Sequence, residues 1–301
     1  MGIVKRRHAL LVGLAAAGLA VSACSNGAAP KPWADVTPSP VSAETSEWVS
    51  VPWMKVNTND AGDQFGGVPT PGIVIAQENG SDPYLCTLGV AILTEGGPGF
   101  LTAGHCNERP GNELHLYPST DITGTDSITL PQPYTSVSDS DGKPDPKTGV
   151  IADRAVVPLP KLTPYASVIA GNYRVAGVLT TNTAKELGPG TPICFDGAVS
   201  GLRCGVVSQA NASGALILTH APGAPTDTPF ISKGDSGGPV FVVDSQKRVA
   251  LVGLLSQRTT DGSSGRVSYL DSELAAVDAK AVLDPSVTHF DGSAYSTRTT
   301  S

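Results

Sequence analysis

Positive charge is scarce in this chain. Its 20 Lys and Arg stand against 27 Asp and Glu, a formal net charge of −7 over 301 residues. Nucleic acid selects basic faces, so that balance argues against it as a partner. Long apolar runs are missing too: Ala9 to Val21 holds thirteen residues, short of the ~20 that a spanning helix needs. Cysteines are few, five in all, and their odd number leaves one without an intramolecular partner. No two of them stand at a metal-ligand spacing, so no metal or other cofactor is expected. What abounds is backbone punctuation, with 34 Gly and 25 Pro. That load disfavours long helices and favours short strands joined by turns. An apolar share of 40% excludes wholesale disorder and allows a sizeable core.

The N-terminus reads as an export signal over residues 1–23. Lys5, Arg6 and Arg7 precede the apolar run, which ends Val21-Ser22-Ala23-Cys24 with small residues at a cleavage site. A cysteine at the first mature position resembles a bacterial lipoprotein signal, in which Cys24 is lipidated. Plain secretion after cleavage at Ala23 is the alternative. The resemblance implies attachment to the outer face of a bacterial membrane through that lipid. Residues 1–23 carry three basic and no acidic residues, so the mature chain has a formal charge of 17 − 27 = −10. Such a surface gives no polybasic help in holding anionic lipid. Residues 24–65 are rich in Ala, Pro, Ser and Thr, as a tether is, and contain Trp33, Trp48 and Trp53. Two readings of that segment stand: a strap that packs its tryptophans on the domain, or a removable pro-segment.

The body is expected to be all-β. Short β-rich stretches at 72–76, 88–93, 113–116, 150–152, 173–179, 215–218, 240–243 and 249–255 alternate with Gly/Pro turns. One helix is expected over 271–283, begun by Asp271, and the polar residues after Asp284 read as frayed.

Three segments carry candidate chemistry. Leu101-Thr102-Ala103-Gly104-His105-Cys106 places a histidine just past a strand end. Gly234-Asp235-Ser236-Gly237-Gly238-Pro239 precedes the strand at 240–243. Between them, Ile151-Ala152-Asp153-Arg154-Ala155-Val156-Val157 sets one carboxylate in an apolar strand. A nucleophilic serine needs a base for its proton and an acid to fix that base's tautomer. A buried acid in turn needs a partner, which a histidine supplies. Asp139, Asp141 and Asp145 are competing acids, in a Lys/Pro/Gly-rich loop. His115 and His220 have no motif around them, His8 lies in the signal and His289 in the tail.

At these residues the chain resembles the chymotrypsin-like serine endopeptidases, with a pattern similar to secreted actinobacterial members. The resemblance implies two packed six-stranded antiparallel β-barrels, over 66–165 and 166–285, with a polar tail at 286–301. It implies a Ser236, His105 and Asp153 triad, with the Gly234 and Ser236 N–H groups facing the oxyanion. It also implies disulfides Cys86–Cys106 and Cys194–Cys204, a polypeptide substrate and a monomer. Asp235 supports the oxyanion loop in this family, often opposite a freshly cut Ile-Val-Gly-Gly terminus that this sequence does not contain. Arg203 and Arg154 are the candidate internal partners. The substrate pocket maps to Phe230, Ser256, Gln257 and Arg258, with no carboxylate at its base to attract Lys or Arg.

Two other readings are open. Gly234-x-Ser236-x-Gly238 also fits an α/β-hydrolase elbow, with Asp261 or Asp271 and His289 following. Alternatively, the same double barrel is a surface-anchored binding module or a latent protease.

Overall fold

The computed structural model describes residues 48–54, 68–77, 83–118, 122 and 127–300. The export signal, Cys24 and Trp33 lie outside the described residues. Among the described residues no helix is long and apolar enough to cross a membrane.

The N-terminal half contains β1 (Val74–Gln77), β2 (Tyr84–Thr87), β3 (Val90–Thr94), β4 (Gly97–Thr102), β5 (Leu114–Tyr117), β6 (Ile128–Leu130), β7 (Thr135–Asp139) and β8 (Asp153–Pro158). The C-terminal half contains β9 (Arg174–Val178), α1 (Thr181–Lys185), β10 (Pro192–Gly197), β11 (Gly201–Ala212), β12 (Ala215–Thr219), β13 (Pro239–Val243), β14 (Arg248–Arg258), β15 (Ser264–Tyr269) and α2 (Leu270–Ala276). A last strand, β16 (Lys280–Ala281), returns to the first half and pairs with β3.

The expected all-β, double-barrel architecture holds, and the two barrels differ in form. In the second, β13-β10-β11-β12-β15-β14 form a ring of antiparallel neighbours, closed by the β13–β14 pairing. β9 adds to β14 from outside, and in parallel. In the first, a four-stranded sheet (β2-β1-β5-β6) and a five-stranded sheet (β16-β3-β4-β8-β7) share one core. Ile75, Leu88, Phe100, Leu114, Leu116 and Val157 meet there.

A separate apolar layer joins the halves, and it explains a feature of the sequence. Pro239–Val243 is buried at every position rather than alternating. Val240 and Val242 face the second barrel's core, while Phe241 and Val243 pack with Val90, Ile92 and Leu101 of the first half. A strand buried on both faces reads as a continuous apolar run. Burying each such side chain contributes about 1.5–3 kcal/mol.

Three sequence expectations need correction. The helix over 271–283 is shorter: it spans Leu270–Ala276, and Asp278 takes a left-handed φ of 49°. Pairing of Lys280 and Ala281 with β3 then outweighs continued helix. The residues after Asp284 are not frayed. Ser296 N–H donates to the Val178 carbonyl at 2.8 Å, and Phe290 stacks on Tyr295 with ring centres 5.0 Å apart. Two aromatics and a few backbone bonds are enough to seat a segment whose composition is polar. Finally, Asp153 opens β8 rather than lying inside a strand.

Candidate active site

The histidine motif begins where β4 ends. Residues 104–106 form a single 3-10 turn, which swings His105 off the sheet toward the start of β8. There the Asp153 carboxylate accepts the His105 backbone N–H at 3.0 Å, and its Oδ2 lies 2.9 Å from His105 Nδ1. Ser256 donates its hydroxyl to the same Oδ2 at 2.5 Å. Ser256 is the residue skipped by the β14–β15 register, which jumps from Leu255 opposite Val267 to Gln257 opposite Arg266. A bulge of this kind re-aims a side chain, here out of the barrel wall and onto Asp153. Behind Asp153, its own N–H donates to Glu273 Oε1 at 2.9 Å, and Arg154 Nη1 pairs with Glu273 Oε2 at 2.9 Å. Asp139, Asp141 and Asp145 are exposed.

This geometry separates the two ionisations. Burial alone would raise the Asp153 pKa, but the His105 charge and the hydrogen bonds from His105 and Ser256 outweigh it. Asp153 is therefore held below the ordinary carboxylate value. Burial alone would lower His105, and the neighbouring Asp153 charge and hydrogen bond reverse that, leaving it above 6.5. The other ring nitrogen, Nε2, is buried and makes no hydrogen bond. Cys86 and Cys106 sulfurs lie within 4.8 Å of a His105 nitrogen, but both are spent in the Cys86–Cys106 disulfide and offer no thiolate.

The serine loop packs against that same strand end. Gly237 has a φ of 86°, and a Cβ there would meet Thr102 Oγ1 at 2.0 Å and Ala103 N at 2.9 Å. Only glycine permits both the left-handed backbone and this approach. Gly237 N–H donates to the Leu255 carbonyl, and Leu255 N–H returns to Gly238, at 2.7 and 2.9 Å. Thr87 completes the clamp. Its N–H donates to the Ser236 carbonyl at 2.7 Å and its hydroxyl to the Gly234 carbonyl at 2.8 Å. Among the described residues the Gly234 and Ser236 N–H groups donate to no other group. Both amides are thus free to donate to an acceptor that enters the site.

Asp235 is fully buried and accepts three backbone amides: Val199 at 3.0 Å, Ser200 at 2.9 Å and Ser232 at 2.7 Å. Burial raises its pKa, and those bonds hold it back. Neither arginine expected as its partner touches it. Arg154 is engaged by Glu273, and Arg203 donates to the carbonyls of Ser200 and Pro229.

Phe230 is buried, edge-on to Phe195 at 5.3 Å and 4.9 Å from the His220 ring. It borders a cavity of about 220 Å³ lined also by Trp53, Arg203, His220 and Thr228. Gln257 pairs with Arg266 across β14–β15, and Arg258 folds back to donate to the Thr259 and Thr260 carbonyls at 2.9 and 3.0 Å. Thr87, Ser256 and Glu273 were not singled out by sequence for these roles; Thr87, beside Cys86 of the disulfide, had the nearest signal. Cys194–Cys204 is the second disulfide, across β10 and β11.

The α/β-hydrolase alternative fails on position. Asp261 accepts from Thr259 and Ser263 within its own turn, Asp271 holds Thr181 and Ser296, and His289 faces the Asp284 carbonyl.

No family model matches the chain, and no curated protein does. Among solved structures, Thermobifida fusca Protease A is similar at 19% identity and a TM-score of 0.47, over 72% of this chain and all (100%) of that one. Cellulomonas bogoriensis chymotrypsin is similar at 19% identity and a TM-score of 0.45, over 71% of this chain and 98% of that one. Nocardiopsis protease is similar at 15% and 0.41, over 70% and 97%.

Proposed function

We propose that this chain is an exported serine endopeptidase that cleaves polypeptides through an acyl-enzyme. Ser236 attacks the carbonyl carbon, and His105 Nε2 takes its proton. Asp153 fixes the Nδ1–H tautomer and stabilises the imidazolium. The Gly234 and Ser236 N–H groups receive the oxyanion, and His105 then returns the proton to the departing amine. Water deacylates the serine by the same steps. The observation that carries this reading is the buried Asp153 carboxylate, bonded to His105 and Ser256, next to a loop of serine and glycine with free amides. Phe230 at the mapped pocket base supports cleavage after residues other than Lys or Arg. Export is supported by the two disulfides, and lipid attachment at Cys24 by the residues before it.

The purified protein is expected to be labelled on Ser236 by a fluorophosphonate, and His105→Ala to abolish that labelling. Labelling should rise with pH as His105 loses its proton, with a midpoint above the ordinary 6.5. An unlabelled Ser236 would falsify the reading and leave a binding module or latent protease. Palmitate incorporation lost in Cys24→Ala checks the anchor.

A further inference from the structure

Residues 48–54 run along the outside of the second barrel and end beside the serine loop. Val49 N–H donates to the Val243 carbonyl at 2.8 Å, and Val51 N–H to Cys204 Sγ at 3.4 Å. Met54 and Leu202 exchange two backbone hydrogen bonds of 3.0 and 2.9 Å. Trp48 is buried in this strap and packs edge-on to Phe290, so its role is ordinary packing. Trp53 behaves differently. It is 58% exposed, yet its indole N–H donates to the Ser200 carbonyl at 3.3 Å. Its ring also lies over the Arg203 guanidinium, 5.0 Å from the ring centre.

Ser200 and Arg203 both lead to Asp235. The Ser200 N–H is one of the three amides on that carboxylate, and its hydroxyl donates to Ser232 Oγ at 3.0 Å. Ser232 N–H is another of the three. Arg203 Nε donates to the same Ser200 carbonyl at 3.3 Å, while Nη1 reaches the Pro229 carbonyl at 2.7 Å. One guanidinium therefore ties together the 199–200 and 229–232 segments that cradle Asp235, immediately before Ser236. The indole covers one face of that cation, within reach of a cation–π attraction.

We propose that Trp53 and Arg203 are positioning residues for the oxyanion loop, acting through Ser200 and Pro229 on Asp235. The 48–54 strap is then a working part of the site rather than a tether. This inference rests on the serine-hydrolase reading. A loop that leaves its place removes the enzyme molecule from turnover, so weakening the clamp lowers the competent fraction. The signature is a fall in kcat together with a fall in the labelling rate of a small fluorophosphonate that does not fill the cavity both residues line.

The full chain is compared with Trp53→Ala, Trp53→Phe, Arg203→Gln and Arg203→Lys by kinetics on an extended peptide, labelling rate and thermal melting. Trp53→Ala and Arg203→Gln are expected to lose kcat about tenfold or more, the scale of a misplaced oxyanion donor. Trp53→Phe keeps a ring over Arg203 but has no indole N–H, and should recover part of the loss. Arg203→Lys keeps the charge without the fork, and should not recover it. If Trp53→Ala melts below the assay temperature, Trp53→Phe and Arg203→Lys decide: wild-type kcat in both folded variants overturns the proposal. A wild-type chain whose Ser236 takes no label overturns the hydrolase reading itself, and the positioning role with it.

Discussion

On the histidine side of the site, side-chain charge does the holding. Asp153 gathers His105 and Ser256, with the Glu273–Arg154 pair behind it. On the serine side the work falls to backbone: Gly237 pairs with Leu255, Thr87 bonds two carbonyls, and three amides close on Asp235. The contrast follows from what each half must do. In the proposed mechanism His105 changes its protonation during turnover, so it needs a fixed charge beside it. In the same proposal the Ser236 loop holds its N–H groups in place, which backbone bonds and left-handed glycines achieve without titrating. One conservative side-chain change should therefore cripple the first half.

The largest effect is expected from Asp153→Asn, which keeps the shape and loses the charge. An amide cannot hold the Nδ1–H tautomer or stabilise the imidazolium, so kcat/KM should fall about 10⁴-fold. Peptide hydrolysis with unchanged melting checks this, and a loss below tenfold would show that charge is not what holds the base.

Next comes Glu273→Gln. Glu273 is 1% exposed and its removal as an anion leaves Arg154 without its partner. Breaking a buried pair on one side costs about 3 kcal/mol, read as a lower urea midpoint at an unchanged slope. An unshifted midpoint would mean that water replaces the carboxylate there.

The smallest effect tests the serine side, where Asp196 lies beneath the loop. Its carbonyl would sit 2.6 Å from a Cβ on Gly238, and its side-chain Oδ1 is buried without a partner. Burial pushes its pKa up to about 7, with the Asp235 charge adding to the rise. The folded chain thus binds this proton more tightly than the unfolded one. Stability from this group is present at low pH and declines as pH rises from the ordinary 3.8 to about 7. Asp196→Asn should flatten that decline and make the protein more stable above pH 7. Parallel stability profiles for the two proteins would remove Asp196 as the cause.

Local signals carried the sequence reading far. The His105 and Ser236 segments are contiguous, and their neighbours Gly104, Gly237 and Gly238 have chemistry of their own, so both motifs are visible in the chain. The pairings Cys86–Cys106 and Cys194–Cys204 that the family resemblance implied are both formed. Residues that act across the fold were not. Ser256 stands 103 positions from Asp153, Glu273 stands 120, and Trp53 stands 147 from Ser200. The sequence marked Ser256 only as a pocket residue and Trp53 only within a strap or pro-segment, and nothing around Glu273 marked it at all. Asp235 shows the same limit: sequence called for a cation, and the barrel supplied amides. The over-long helix erred because its apolar spacing continues past Val277, while β3 competes for the backbone beyond it.

By itself, then, the sequence determined the strand-rich class and marked Ser236, His105 and the four paired cysteines as candidates. Each of those rests on composition or on a short motif around one residue, with the cysteine pairing supplied by the family resemblance. Tertiary structure alone decided which groups stand behind Asp153, what satisfies Asp235, and that a Pro-rich segment near the N-terminus straps the second barrel. Those contacts exist only once the two halves pack, because burial turns a distant carboxylate, amide or indole into an obligatory partner. The scarce positive charge gained a specific use in the same way: one of the 20 basic residues, Arg203, lies under Trp53 and spans the cradle of the buried Asp235.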